Sequence, residues 1–314
     1  MRKEEDVTVS VLMPVYNHEK YIAKAIDGVL MQKTNFRFEL IIGEDCSKDY
    51  SRRIVRQYQK KYPNIIKVIY QTTNKGMQKN IGRIQREASG KYWAYCEGDD
   101  YWTDENKLQK QIEFLEKNKK YNAVYHNVLC VDQKGRPCKR KSINKYPLKP
   151  SGSYTFNMIQ NMNLVGQTAS LVCRNVYDIL QNNKDIKWFE TCNCNGDQKL
   201  CALLACSGNI YFLNEIMAVH RVVLKEGTSW SAVTQQKNLS LYMYNSCIEL
   251  NKLLYRIYKR NCCSKEYLKN LQQTACEEFY RKPNLENLVI LICLNLRYIK
   301  DAVIWKTGKR TRFE

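Results

Sequence analysis

Two hydrophobic periods alternate over about the first 130 residues, and few folds accommodate that pattern. Val9-Ser10-Val11-Leu12-Met13 reads as a buried strand closed by Pro14. Ile22, Ala25, Ile26, Val29 and Leu30 then recur on one face of a helix. Phe38–Ile42, Ile65–Tyr70, Lys91–Cys96 and Ala123–Val131 repeat the strand pattern. Between them lie three more helical patterns. The first carries Ile54, Val55 and Tyr58, with Ser47 or Asp49 as its cap. The second carries Met77, Ile81, Ile84 and Ala88 and is closed by Gly90. The third carries Leu108, Ile112 and Leu115, capped by Thr103 or Asp104. Such alternation predicts βαβ units: an α/β, Rossmann-like fold with a mainly parallel central sheet flanked by helices. In these sheets ligands bind outside the carboxyl ends of the strands. The turns to inspect are therefore Pro14–Asn17, Gly43–Asp49, Gln71–Gly76 and Glu97–Trp102.

The pattern changes beyond residue 131. Seven Lys/Arg and no acid lie between Gln133 and Lys149, which reads as an exposed basic loop. Thr168–Cys173 predicts a strand, Asp197–Cys206 a helix closed by Gly208, and Ile210–Leu213 and Met217–His220 two short strands. Residues 251–314 hold 14 Lys/Arg against 6 Asp/Glu, a basic tail rich in helix formers. The expected organisation is an α/β domain over 1–231, with halves at 7–131 and 150–231, followed by a basic helical region over 232–314.

Composition then removes several function classes. At 44% hydrophobic residues, disorder is excluded for most of the chain. The longest apolar run, Leu288–Leu294, has seven residues against about 20 for a bilayer span. The N-terminus shows no apolar export segment, so a cytoplasmic chain is expected. Its 14 Cys then read as reduced and structural, and the C-x-C spacing of Cys192 and Cys194 is not that of a paired zinc site. A net charge of +20 suits nucleic acid, an anionic membrane, phosphate-bearing substrates or plain solubility. No nucleic-acid-binding motif accompanies it, so no nucleic-acid partner is expected. The loop and tail suggest peripheral docking on the inner face of an anionic membrane.

Chemistry concentrates in Glu97-Gly98-Asp99-Asp100, directly after a strand. Three carboxylates in four residues repel one another unless a cation neutralises them, and Mg²⁺ or Mn²⁺ prefers such oxygen donors. A plain acidic turn is the competing reading. Glu44-Asp45 ends a second strand, where Asp45 can accept hydrogen bonds from a base or ribose. Tyr16 offers a face for a planar base, and Asn74-Lys75-Gly76 is a tight turn bearing a cation.

Taken in order, VSVLMPVYN (Val9–Asn17), GEDCSKD (Gly43–Asp49), Asn74–Gly76 and EGDDYW (Glu97–Trp102) resemble the successive motifs of glycosyltransferase family 2. Gly196–Leu200 and Glu215–Arg221 resemble its acceptor-side segment. The resemblance covers roughly residues 7–231. It implies a GT-A fold and an inverting transfer of a hexosyl group from a nucleotide-sugar donor, UDP-linked, to a glycan or lipid-linked acceptor. It places Pro14, Tyr16 and Asp45 on the nucleoside, with Asn17, Asn74, Gly76 and Asp99 completing the nucleotide site. It assigns Mn²⁺ or Mg²⁺ to Asp99, with Asp100 and Glu97, and the general base to Asp197. Glu97 stands where the family's metal motif usually has Asp, and His220 where Tyr is common. Trp102 and Arg221 are the candidates for shaping the acceptor pocket. A sugar-nucleotide nucleotidyltransferase fits less well, because the turn after the first strand lacks the Gly-rich loop such enzymes carry. A non-catalytic sugar- or nucleotide-binding module is the remaining alternative.

Overall fold

The computed structural model describes residues 6–138, 147–223 and 239–281. The middle of the basic loop, the segment around Ser231 and the end of the basic tail lie outside the described residues.

Strand β1 (Val9–Val15) is buried at all seven positions because it is flanked in parallel by β2 (Phe38–Glu44) and β4 (Tyr92–Tyr95). Strand β3 (Ile66–Tyr70) extends the parallel set beyond β2. Alternate residues serve opposite faces. Leu12, Ile41, Trp93 and Tyr95 enter one hydrophobic cluster, and Val11, Met13, Leu40, Ile42, Tyr92 and Ala94 the other. Both faces are apolar, as a covered parallel sheet requires. Helices α1 (Ile22–Leu30), α2 (Ser51–Lys61) and α4 (Lys107–Lys117) cover one face through Ile22, Ile26, Val29, Val55, Leu108, Ile112 and Leu115. Each such side chain stabilises by about 1.5–3 kcal/mol on burial. Helix α3 (Met77–Arg86) places Ile84 against the opposite face.

Past β4 the sheet becomes mixed. Strand β8 (Val172–Arg174) pairs antiparallel with both β4 and β6 (Tyr121–Asp132). Strand β9 (Asn209–Val222) then runs parallel to β6, while β5 (Tyr101–Trp102) and β7 (Gly152–Tyr154) pair antiparallel with β9. The expected strand over Thr168–Cys173 is thus a 3-10 turn, Thr168–Ser170, followed by β8. The two short strands expected after Gly208 form one long strand, with register shifts near His126 and Asn127 on its partner. Gly90 lies four residues beyond the end of α3, where any Cβ would meet the Ser10 backbone nitrogen at 2.5 Å; close approach to β1 demands glycine there.

Helices α5 (Val176–Leu180), α6 (Asn183–Thr191) and α7 (Gly196–Ser207) lie on the second face. Helix α8 (Leu239–Tyr258) adds Cys247, Leu250, Leu253 and Leu254 to the same cluster as Leu12 and Ile41. Helix α9 (Lys265–Arg281) packs on α8. The C-terminal region is helical where it is described, and no described helix is long and apolar enough to cross a membrane.

Candidate active site at the carboxyl ends of the strands

The expected turns meet at the carboxyl ends of β1, β2 and β4. The Gly98 N–H donates to the Pro14 carbonyl (3.2 Å), and the Asp45 N–H to the Val15 carbonyl (3.0 Å). Asp45 is 2% exposed. Its Oδ1 accepts from the Lys75 N–H (2.7 Å) and its Oδ2 from the Gly76 N–H (2.8 Å), while Asn74 Nδ2 donates to the Asp45 carbonyl (3.2 Å). Two motifs read separately in the sequence are therefore one structure, a carboxylate gripping a turn. Gly76 has φ +82°, a conformation that favours glycine. Asn17 ties the first turn to the second: its N–H donates to Ser47 Oγ (3.0 Å), and its Oδ1 accepts from the Lys48 N–H (2.8 Å). Tyr16 is half-buried beside them. Glu44 turns away into the protein, where it pairs with Arg52 and accepts from the Ser47 N–H (2.6 Å). It is a brace, and the acidic pair Glu44-Asp45 divides its labour.

The Glu97–Asp100 turn divides similarly. Asp100, expected among the cation's ligands, is 2% exposed and already engaged. Oδ1 accepts the Arg221 N–H (2.7 Å), Oδ2 accepts Gln167 Nε2 (2.7 Å), and His220 Nδ1 lies 3.2 Å from both oxygens. Both Asp100 oxygens are thus already hydrogen-bonded. Glu97 and Asp99 are less committed. Glu97 Oε2 is buried without a hydrogen-bond partner. Burial, reinforced by the charges of Asp100, Asp197 and Asp99, pushes the Glu97 carboxyl well above its ordinary range. Burial also raises Asp99, against the opposing pull of His18, whose Nε2 is 3.9 Å from Asp99 Oδ2. Uncompensated oxygens of this kind suit a hard divalent cation. Among the described residues no three metal-ligating side chains form a ready-made cage.

Asp197 joins this group from α7. An Asp in the opening turn of a helix commonly caps it. Asn195 does so instead, its Oδ1 accepting the Asp197 N–H (3.1 Å), so the Asp197 side chain is released from capping. Burial raises Asp197 while a hydrogen bond from Thr168 lowers it, with a net rise. The charge of Asp197 bears on both Glu97 and His220. Burial disfavours protonated His220, but Asp100, Asp99 and Asp197 outweigh that and hold its pKa above the ordinary value.

The two expected acceptor-side residues sit deeper than expected. Trp102 is 2% exposed, within the core, with Nε1 donating to the Ala169 carbonyl (2.9 Å) and Lys107 over its ring. Arg221 is 7% exposed. Its Nε donates to the Asp99 carbonyl (3.1 Å) and its Nη1 to the Asp132 carbonyl (3.1 Å), with the guanidinium over Tyr21. Arg221 holds the acidic turn in place from behind, while Trp102 anchors the short strand that follows it to β9. Sequence reasoning missed His18 and Gln167, whose roles depend on partners far along the chain. It also missed Asn195, although an Asn just before a helix that opens with Gly-Asp is an N-cap signal.

A doubly covered sheet with acids gathered at its strand ends is the frame on which GT-A glycosyltransferases are built. The chain belongs to glycosyl transferase family 2, whose model matches residues 10–179. It is 34% identical over 216 residues to the uncharacterized protein Rv1520 of Mycobacterium tuberculosis, covering 68% of this chain and 58% of that protein. The chain thus spans little more than half the length of this mycobacterial relative. TuaG of Bacillus subtilis, whose name assigns it a glycosyltransferase step in teichuronic acid biosynthesis, is 28% identical over 268 residues, 83% of this chain and 95% of TuaG. Among solved structures, S. aureus TarS in complex with UDP-GlcNAc superposes with a TM-score of 0.58 at 18% identity, covering 91% of this chain and 79% of that one.

Proposed function

We propose that this protein transfers a hexosyl group from a UDP-sugar to a hydroxyl of a glycan or lipid-linked acceptor, with inversion at the anomeric carbon. The observation that carries this reading is electrostatic: Glu97 and Asp99 after β4 and Asp197 on α7, a hundred residues further along the chain, lie close enough that each feels another carboxylate or His220. The TarS complexes with UDP-GlcNAc and UDP support a nucleotide-sugar donor, and the name of TuaG supports a cell-wall glycan acceptor.

In this reading residues 7–131 form the donor half and 150–231 the acceptor half. Pro14, Tyr16 and Asn17 flank the nucleoside, and Asp45 fixes the Asn74–Gly76 turn that borders it. Mn²⁺ or Mg²⁺, held by Asp99 and Glu97, would supply positive charge to the leaving diphosphate, an effect worth several kcal/mol. Asp197 takes the proton from the acceptor hydroxyl; its raised pKa suits a base that must work near neutral pH. Arg221 positions the acidic turn, and Trp102 anchors the strand that leads from it towards the acceptor half. The basic loop and tail give the chain peripheral contact with an anionic membrane on its cytoplasmic side.

The test is a screen of sugar nucleotides with added Mn²⁺, reading thermal stabilisation and release of the nucleoside diphosphate. UDP release from one donor is expected. Stabilisation without release from any donor would leave a binding module instead.

A further inference from the structure

Two thiols stand at the root of α7. Cys192 Sγ and Cys194 Sγ are 3.4 Å apart, a contact that one bond would close. Cys192 caps the end of α6 and is 8% exposed; Cys194 is 1% exposed. The segment reaches the surface, since Thr191, Asn193 and Gly196 around the pair are exposed. The hydrogen bond with Cys194 lowers the Cys192 pKa against the effect of burial; Lys199 and Lys252 add to that lowering and Glu249 opposes it, so thiolate is favoured. The segment connects directly to the cleft. Gln78 Nε2, on α3 beside the turn that Asp45 grips, donates to the Cys194 carbonyl (2.6 Å). Asn195 and Asp197 follow within three residues of Cys194.

We propose that Cys192 and Cys194 form a peroxide-reactive dithiol that closes to an intramolecular disulfide and so displaces the segment bearing Asp197. The Cys192 thiolate attacks one oxygen of hydrogen peroxide. The O–O bond breaks, hydroxide leaves, and Cys192 becomes a sulfenic acid. Cys194 sulfur then attacks Cys192 sulfur, the S–O bond breaks, and water departs with the Cys194 proton. Two thiols and one peroxide give one disulfide and two waters. Closing a 3.4 Å gap to about 2.0 Å shifts backbone that now meets Gln78 and Asn195. The effect on turnover rests on the reading of Asp197 as base; the thiol chemistry does not.

Trypsin can separate the two questions, because Trp188–Lys199 carries Cys192 and Cys194 and no other cysteine. The full chain is treated with hydrogen peroxide, alkylated and mapped. The expected result is coordinated loss of alkylation at both residues, a disulfide within that peptide, and recovery with dithiothreitol. Cys194→Ser should stop at a sulfenic acid on Cys192 that dimedone traps. Full alkylation of both residues after peroxide, or a disulfide linking either to Cys247, Cys262 or Cys263, overturns the proposal. Oxidised protein should lose donor turnover on the order of 10²-fold, as a misplaced catalytic group does, and Cys194→Ser should not. Disulfide formed with turnover unchanged overturns the link to Asp197. If reduced protein turns over no sugar nucleotide, the functional reading fails while the mapping still decides the dithiol.

Discussion

Asp100 and Arg221, 121 residues apart, are joined by a 2.7 Å hydrogen bond from the Arg221 N–H to Asp100 Oδ1. The Arg221 side chain returns to the same turn through the Asp99 carbonyl. The acidic turn after β4 is thus clasped from the last strand of the sheet. Gln167 closes the clasp from a third segment.

This clasp predicts a stability effect. Asp100→Asn turns an amide toward three donors and breaks a buried charged network, which should cost about 3–5 kcal/mol. Urea unfolding measures it. A loss within about 0.5 kcal/mol, the range of ordinary surface changes, would mean that Asp100 braces nothing.

Asp99→Asn separates metal chemistry from folding. Asp99 is only partly enclosed and its carboxyl is already raised by burial, so neutralising it should leave the melting temperature unchanged or higher. Mn²⁺-dependent release of the nucleoside diphosphate should disappear. Retained Mn²⁺-dependent turnover in this variant removes Asp99 from the metal site.

Asp197→Asn should lower turnover by about 10²–10⁴ while donor binding persists, the signature of a lost base. Calorimetric titration with UDP alongside the rate assay distinguishes this from misfolding. Unchanged turnover reassigns the proton to another group.

Asp45→Ala strands the Lys75 and Gly76 N–H groups. Each lost charged hydrogen bond is worth about 1.5–3 kcal/mol, and part of that should appear as UDP affinity weakened by roughly tenfold or more. Equal affinity in the variant would show that the Asn74–Gly76 turn does not border the nucleotide.

Lys107 yields a pH-dependent test in the core behind the acidic turn. It is fully buried against Gln111 and the Trp102 ring. Burial lowers its pKa from the ordinary 10.5 to about 7. The charged form is thus destabilising in the folded state below about pH 7, and the cost is relieved as pH rises from 7 towards 10.5. Lys107→Met should therefore stabilise most near pH 6, by a few kcal/mol, with a gain that shrinks by pH 9. A gain independent of pH would refute the buried charge.

The parallel half of the sheet was legible because each strand is apolar on both faces and each helix carries one apolar stripe. Val11, Leu12 and Met13 announce their strand without any knowledge of the partner. The second half was harder: β8 has three residues, and its register is set by β4 and β6 rather than by its own pattern. The same limit applies at the site. Local pattern reveals Asp45 and Asp99 as candidates, and the family resemblance adds Asp197. It does not reveal that Asp100 is occupied by His220, Gln167 and Arg221, because charge saturation is a property of tertiary contacts.

Helix α8 seals the face of the sheet that Leu12 and Ile41 present, using Leu250, Leu253 and Leu254. A catalytic fragment cut before Leu239 would therefore uncover a slab of hydrocarbon rather than shed an ornament. Its fate in solution would be self-association, and α8 must be kept in any preparation meant to avoid it.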